Sequence, residues 1–206
     1  MSTLPPLHTP ELSIATHPIG SHRLASRLFG APRLALDRRV CVAANRWGAR
    51  RAVGLFFGAI SRLGDGMFWY ALMAVLPLIY GQRGLVAAAH MALTGLTALQ
   101  LYRLLKRWTR RPRPFRVCPG VIAHVPPLDE FSFPSGHTLQ AVGFSIVALA
   151  WYPQLAPLLL SFTVLVAASR VILGLHYPSD VLAAILIGSG LGASSLLLLP
   201  LAAKLV

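Results

Sequence analysis

The sequence predicts an all-α, polytopic membrane helix bundle of five to six transmembrane helices with an N-terminal amphipathic helix. Three observations carry this expectation. Hydrophobic residues make up 55% of the 206-residue chain and charged residues 12%, about half the charged share of an ordinary soluble domain. The stretch Phe131–Ser169 contains no Asp, Glu, Lys or Arg over its 39 residues. As one helix it would reach about 58 Å, against about 30 Å for a bilayer core, so two crossings fit better than one. Finally, the formal net charge of +13 is concentrated beside apolar runs. That placement favours anionic lipid headgroups over nucleic acid as the partner.

Taken in order, residues 1–32 are polar and Pro-rich and read as a disordered N-terminus, with no apolar core for a cleavable signal peptide. Residues 33–206 read as one membrane-embedded domain. Arg33–Arg51 alternates apolar residues with arginines at helical spacing, as an interfacial amphipathic helix does; a solvated helix docked on the remainder fits the same pattern. Ala52–Ser61 is apolar but too short to cross alone. Five spans follow, at about Met67–Gly81, open to extension by the preceding apolar turns, Gly84–Tyr102, His137–Tyr152, Gln154–Val171 and Ser179–Leu199. A basic loop from Arg103 to about Pro134 separates the second from the third. Trp151-Tyr152-Pro153 supplies the turn between the third and fourth, with an interfacial aromatic pair. Cys41 and Cys118 show no metal-ligand spacing and are too few for a disulfide framework.

Alternating spans bring the ends of spans two and four to one face, together with the starts of spans three and five. Three polar clusters therefore converge. The first, KRWTRRPRP (Lys106–Pro114), places six residues between Lys106 and Arg113. The second is FPSGH (Phe133–His137). The third is SRVILGLHYPSD (Ser169–Asp180), in which Arg170 precedes His176 and Asp180 follows it by four. Lys106, Arg113 and Arg170 are cations suited to one anion, the arginine fork matching phosphate oxygens in particular. Ser135 and Gly136 stand at the start of an apolar helix, where free backbone N–H groups attract anions. His137, at the same end, is placed to donate a proton to a leaving oxygen. On a helix, His176 and Asp180 would share a face, the carboxylate holding one ring nitrogen and freeing the other as nucleophile or base. Each cluster alone has a plainer explanation: a headgroup-binding loop, a Pro-started cap, a structural hydrogen bond. Together on one face they point to phosphate chemistry, and charge beside membrane spans strengthens that reading.

The three clusters resemble the signature of the type 2 phosphatidic acid phosphatase family, whose relatives include lipid phosphate phosphatases, bacterial class A acid phosphatases and vanadium haloperoxidases. The likeness is strong over about Lys106–Asp180. It implies a phosphohistidine enzyme in which His176 is the nucleophile, Asp180 orients it and His137 protonates the leaving group. Lys106, Arg113, Ser135, Gly136 and Arg170 would bind the phosphate. No metal or other cofactor is implied. Arg111-Pro112 duplicates Arg113-Pro114, so either arginine fits the phosphate role, and the family spacing favours Arg113. The implied substrate is a lipid phosphate whose tail stays in the bilayer. Undecaprenyl diphosphate comes first, with phosphatidic acid and phosphatidylglycerol phosphate as alternatives. Transfer to a lipid hydroxyl would use the same site, and a non-catalytic lipid-phosphate binder or transporter would share its cations.

Outside the clusters, His124 is a loop histidine near the site, and Asp129 and Glu130 should face basic groups or water. His90 should pack between helices, and the N-terminal histidines His8, His17 and His22 have no ligand company. The expected location is a bacterial inner membrane. Seventeen of the nineteen basic residues fall on the catalytic face of a five-span chain. The positive-inside rule would turn that face to the cytoplasm, whereas the family likeness implies a periplasmic one.

Overall fold

The computed structural model describes residues 31–198 and 200, all of them helix, turn or loop apart from one isolated bridge between Pro112 and Phe131. The expected disordered N-terminus lies outside them up to residue 30, and Ala31 already begins a helix. The helices are α1 (Ala31–Gly48), α2 (Arg51–Arg62), a π turn (Leu63–Met67), α3 (Phe68–Thr109), the four-residue α4 (Pro114–Val117), α5 (Gly136–Trp151), α6 (Ala156–Ile172) and α7 (Pro178–Ser195).

Three stretches are long and apolar enough to cross a membrane: 51–109, 153–172 and 178–198. The first is a hairpin. At Gly81 the backbone adopts φ 58°, a left-handed conformation that suits glycine, and the chain doubles back. A Cβ on Gly84 would lie 2.0 Å from the Leu76 carbonyl oxygen, so the two arms meet backbone to backbone at the turn. α5, 16 residues long, adds a further apolar arm.

The outgoing arm takes the extended form of the expected first span. It begins at Arg51, because α2 and α3 meet at a kink, where Gly66 is non-helical at φ 136°, and still keep one course along α6. Its course follows α6 in reverse: Gly64 packs on Val166, Phe68 on Phe162, and Tyr80 stacks on Tyr152 at 4.2 Å. Those 30 residues span about 45 Å as helix, enough for a tilted crossing. The returning arm runs to Thr109, seven residues beyond expectation. Trp151 and Tyr152 do mark the α5–α6 turn, but both are buried in the bundle.

α5 is the central helix. Its side chains are buried on every side, as expected of a helix apolar all round. Phe144, Val147 and Trp151 join Trp69, Leu76, Met91, Leu159, Phe162 and Val166 in the main core. The outward faces of α3, α6 and α7 expose Leu78, Val164 and Leu186, the pattern of helices bathed in lipid. His90 packs as expected: its Nδ1 accepts from Trp151 Nε1 at 3.2 Å and its Nε2 lies 3.1 Å from the Ser195 carbonyl.

α1 neither crosses nor lies free. It docks over the loops at one end of the bundle through polar contacts. Asn45 donates to the Ile122 and Ile172 carbonyls at 2.8 and 3.2 Å, and accepts from the Ile122 N–H at 2.9 Å. Cys41 and Cys118 are buried, free thiols.

Candidate active site

The loop-rich end contains a cavity of about 630 Å³. The expected site residues reach its walls from five places in the chain, each set by a local rule. Lys106 comes from the last turn of α3, before Arg110 ends the helix in a left-handed conformation. Arg113 is the extended residue before Pro114, as the residue preceding a proline prefers. Gly136 and His137 open α5, Arg170 lies in the last turn of α6, and His176 occupies the loop before α7. Thus Lys106, Arg113, Gly136, His137, Arg170 and His176 line one cavity.

Two expected residues stand behind it. Ser135 caps α5: its hydroxyl accepts from the Thr138 N–H at 3.5 Å, and its own N–H donates to the Asp180 carbonyl at 3.3 Å. Of the pair, Gly136 lines the cavity, while the Ser135 N–H is engaged by the Asp180 carbonyl. Asp180 is wholly buried on the far side of His176. The two do not share a helix face as expected, since His176 precedes α7 and Asp180 lies in its first turn. The carboxylate reaches back across the helix start, with Asp180 Oδ2 3.7 Å from His176 Nδ1 and 2.9 Å from the Tyr177 N–H, whose proton it accepts.

The other ring nitrogen of His176, Nε2, lies 3.1 Å from Arg113 Nη1 at the cavity wall. Burial, and then Arg113, Arg170 and Lys106, push the His176 pKa well below 6.5. The resting imidazole is therefore neutral, with a lone pair to offer. Arg170 is 2% exposed and makes no ion pair among the described residues. Its Nη1 donates to the Ser61 hydroxyl, while Nε is buried with no hydrogen-bond partner. A buried guanidinium without a counter-ion is costly, and an anion in the cavity would relieve it.

Lys106 and Arg113 have a resting counter-ion. Asp129 accepts from Lys106 Nζ at 2.6 Å and from Arg113 Nη2 at 2.7 Å. Burial raises the Asp129 pKa, but Lys106 and Arg113 outweigh burial and leave it below the usual carboxylate value. Glu130 pairs with Arg116 at 3.2 Å. Both acids thus face basic groups, as expected. His124 lies outside the cavity, its Nε2 3.2 Å from the Asn45 carbonyl.

The duplicated arginines divide cleanly. Arg113 faces the cavity; Arg111 turns away. Arg111 Nη1 donates to Asp180 at 2.5 Å, Nη2 to Asp37 at 2.8 Å, and its guanidinium lies 4.0 Å over the Tyr177 ring. Burial alone would lower the Arg111 pKa, but Asp180 and Asp37 raise it above the ordinary value. Asp37 also accepts from the Ser179 N–H at 3.0 Å. α1 therefore braces Asp180 through Arg111, a role the sequence did not reveal because Asp37 lies 143 positions away. Asp65, the hydrogen-bond partner of His137 Nε2, was also missed. Its signal was present, an acid between two apolar runs in LGDGM (Leu63–Met67). Among the described residues no group of three or more His, Cys, Asp or Glu side chains is gathered to hold a metal ion.

Comparison with known proteins follows this geometry. The chain is 31% identical over 124 residues to the undecaprenyl-diphosphatase BcrC of Bacillus subtilis, covering 60% of this chain and 64% of that one. It is 34% identical over 90 residues to the decaprenylphosphoryl-5-phosphoribose phosphatase of Mycobacterium tuberculosis, covering 44% and 49%. The match thus spans less than two thirds of either relative. Among solved structures, the transmembrane PAP2-type phosphatidylglycerolphosphate phosphatase of Bacillus subtilis superposes with TM-score 0.67 at 24% identity, covering 85% of this chain and 90% of that one. Aquifex aeolicus LpxE superposes with TM-score 0.62 at 25% identity, covering 79% and 93%. The PAP2 superfamily model matches residues 83–202, which contain all three clusters and most of the bundle, and the chain belongs to the PAP2 superfamily.

Proposed function

We propose that this membrane protein hydrolyses a lipid phosphate through a phosphohistidine on His176, with undecaprenyl diphosphate as its first substrate. The observation that carries the proposal is a neutral His176 whose Nε2 faces a cavity ringed by Lys106, Arg113 and Arg170, the last with an unpartnered Nε. The phosphoryl oxygens would take their hydrogen bonds from these cations and from the start of α5. His176 Nε2 attacks phosphorus, the bond from phosphorus to the leaving oxygen breaks, and His137 gives that oxygen a proton. Asp180, braced by Arg111, balances the positive imidazole as it forms. Water then attacks the phosphohistidine, returns a proton to His137, and phosphate leaves. Fixed cations suited to the crowded oxygens of the transition state supply most of the rate. The reaction requires no metal.

The location is the inner membrane of a bacterial cell, with the tail of the substrate in the bilayer beside the cavity. Labelling Glu130→Cys with a membrane-impermeant thiol reagent in intact cells reports which side the cavity opens to. The substrate test is phosphate release in detergent, with EDTA present, from undecaprenyl diphosphate, phosphatidic acid and phosphatidylglycerol phosphate. Release that persists in EDTA and vanishes in His176→Ala is the expected result. Absence of release from all three by folded protein would overturn it.

A further inference from the structure

A second histidine–carboxylate pair faces the same cavity from the opposite direction. Of the five acidic residues described, Asp37, Asp129, Glu130 and Asp180 each pair with an arginine or lysine. Asp65 does not: its ion-pair partner is His137 Nε2. Both Asp65 and His137 line the cavity, beside Lys106 and Arg170. An acid within a membrane arm is costly, and a break in such an arm is tolerated where it borders a cavity. The π turn satisfies that condition. Gly66, at φ 136°, adopts a conformation that favours glycine, and a Cβ on Gly64 would crowd Val166 Cγ2 at 3.0 Å. The two glycines let the arm bend against α6, and the bend turns Asp65 toward His137.

We propose that Asp65 is the positioning residue of the general acid, holding the proton on His137 Nε2 until the leaving oxygen takes it. This rests on the phosphatase reading above. The charges around His137 explain the need. Burial, then Arg170 from α6 and Lys106 from α3, disfavour a positive imidazole, and Asp65 opposes them in part. Asp129 also borders the cavity but is committed to Lys106 and Arg113, so Asp65 is the carboxylate that favours the proton on His137, against burial and the two cations. In the first step the bond from phosphorus to the ester or anhydride oxygen breaks, the Nε2 proton moves to that oxygen, and Asp65 accepts no proton itself. In the second step the attacking water restores the proton to Nε2, where Asp65 again holds it.

The consequence depends on the leaving group. A lipid monophosphate leaves as an alcohol and needs the proton. A lipid diphosphate leaves as a lipid phosphate, already a stable anion, and needs it little. The test compares farnesyl monophosphate with farnesyl diphosphate, one tail with two leaving groups, using the full chain in detergent. Asp65→Asn keeps a hydrogen-bond acceptor and removes the charge. It should lower kcat on the monophosphate about 100-fold with KM unchanged, and on the diphosphate less than about tenfold. His137→Ala should show the same split, Asp65→Asn should cost nothing further in that background, and Asp65→Glu should recover part of the loss. Equal losses on both esters, or losses that multiply in the double variant, would overturn the role of Asp65. Loss of inhibition by inorganic phosphate in Asp65→Asn would also overturn it, because the residue would then be building the pocket. If wild type cleaves only the diphosphate, the acid role of Asp65 fails and the phosphatase reading stands. If wild type cleaves neither, both fall.

Discussion

Arg111 and Arg113 are the same residue type two positions apart, both almost wholly buried, yet their surroundings differ in kind. Arg111 is enclosed by two buried carboxylates and an aromatic face. Arg113 has one half-exposed carboxylate, two carbonyls and the reactive nitrogen of His176. A closed cage satisfies a guanidinium permanently, whereas an open one leaves room for a ligand to replace part of it. The contrast separates groups that hold the site from groups that act in it. The same division recurs between Ser135, spent on capping α5, and Gly136, which borders the cavity.

The most forceful way to break the comparison is to truncate each arginine. Arg113→Ala should lower kcat by about 10²- to 10³-fold, the usual cost of a lost transition-state donor, with little change in the detergent melting temperature. Arg111→Ala should do the reverse in emphasis. It strands Asp37 and Asp180 without their cation, and breaking such a buried pair costs about 3–5 kcal/mol. A clear drop in melting temperature is expected, with activity reduced through the loosened Asp180. If the two variants behave alike in both assays, the division fails.

Acid should sharpen the picture next. His176 is held neutral, its folded pKa lying well below 6.5. Below pH 6.5 the unfolded chain therefore binds more protons at this residue than the folded one, so stability falls as pH drops and is level above. His176→Gln should flatten that decline in a melting series from pH 7.5 to 5. The smallest effect belongs to Asp129, 39% exposed at its side chain. An exposed pair is worth about 1 kcal/mol at most, so Asp129→Asn should tighten inhibition by inorganic phosphate by no more than about fivefold, by freeing Lys106 and Arg113. Weaker inhibition would mean that Asp129 shapes the pocket instead of competing with its ligand.

Much of this was legible in the sequence, and for identifiable reasons. Apolar run length and the alternation of spans brought Lys106, Arg113, His137, Arg170 and His176 to one end without any tertiary information. The hairpin turn at Gly81 was readable because two apolar runs met at a glycine and an arginine. The start of the outgoing arm stayed open between Met67 and the apolar turns before it, because two glycines in LGDGM permit a kink within one arm as well as a stop, and Gly66 makes the kink. Which donor at the start of α5 stays open was not legible, because a helix start offers its N–H groups either to a ligand or to a neighbouring carbonyl, and Asp180 lies close enough to take that of Ser135. Arg111 was ambiguous locally because its partners Asp37 and Asp180 come from helices remote in sequence.

The most direct measurement is a rapid acid-free quench of wild type and His176→Ala during turnover of a ³²P-labelled lipid phosphate, followed by mapping of the protein-bound label. An alkali-stable, acid-labile label on His176, forming no more slowly than phosphate is released and absent from the variant, is the predicted result. Steady turnover with no label on His176 at any time, or undiminished turnover by His176→Ala, would contradict it.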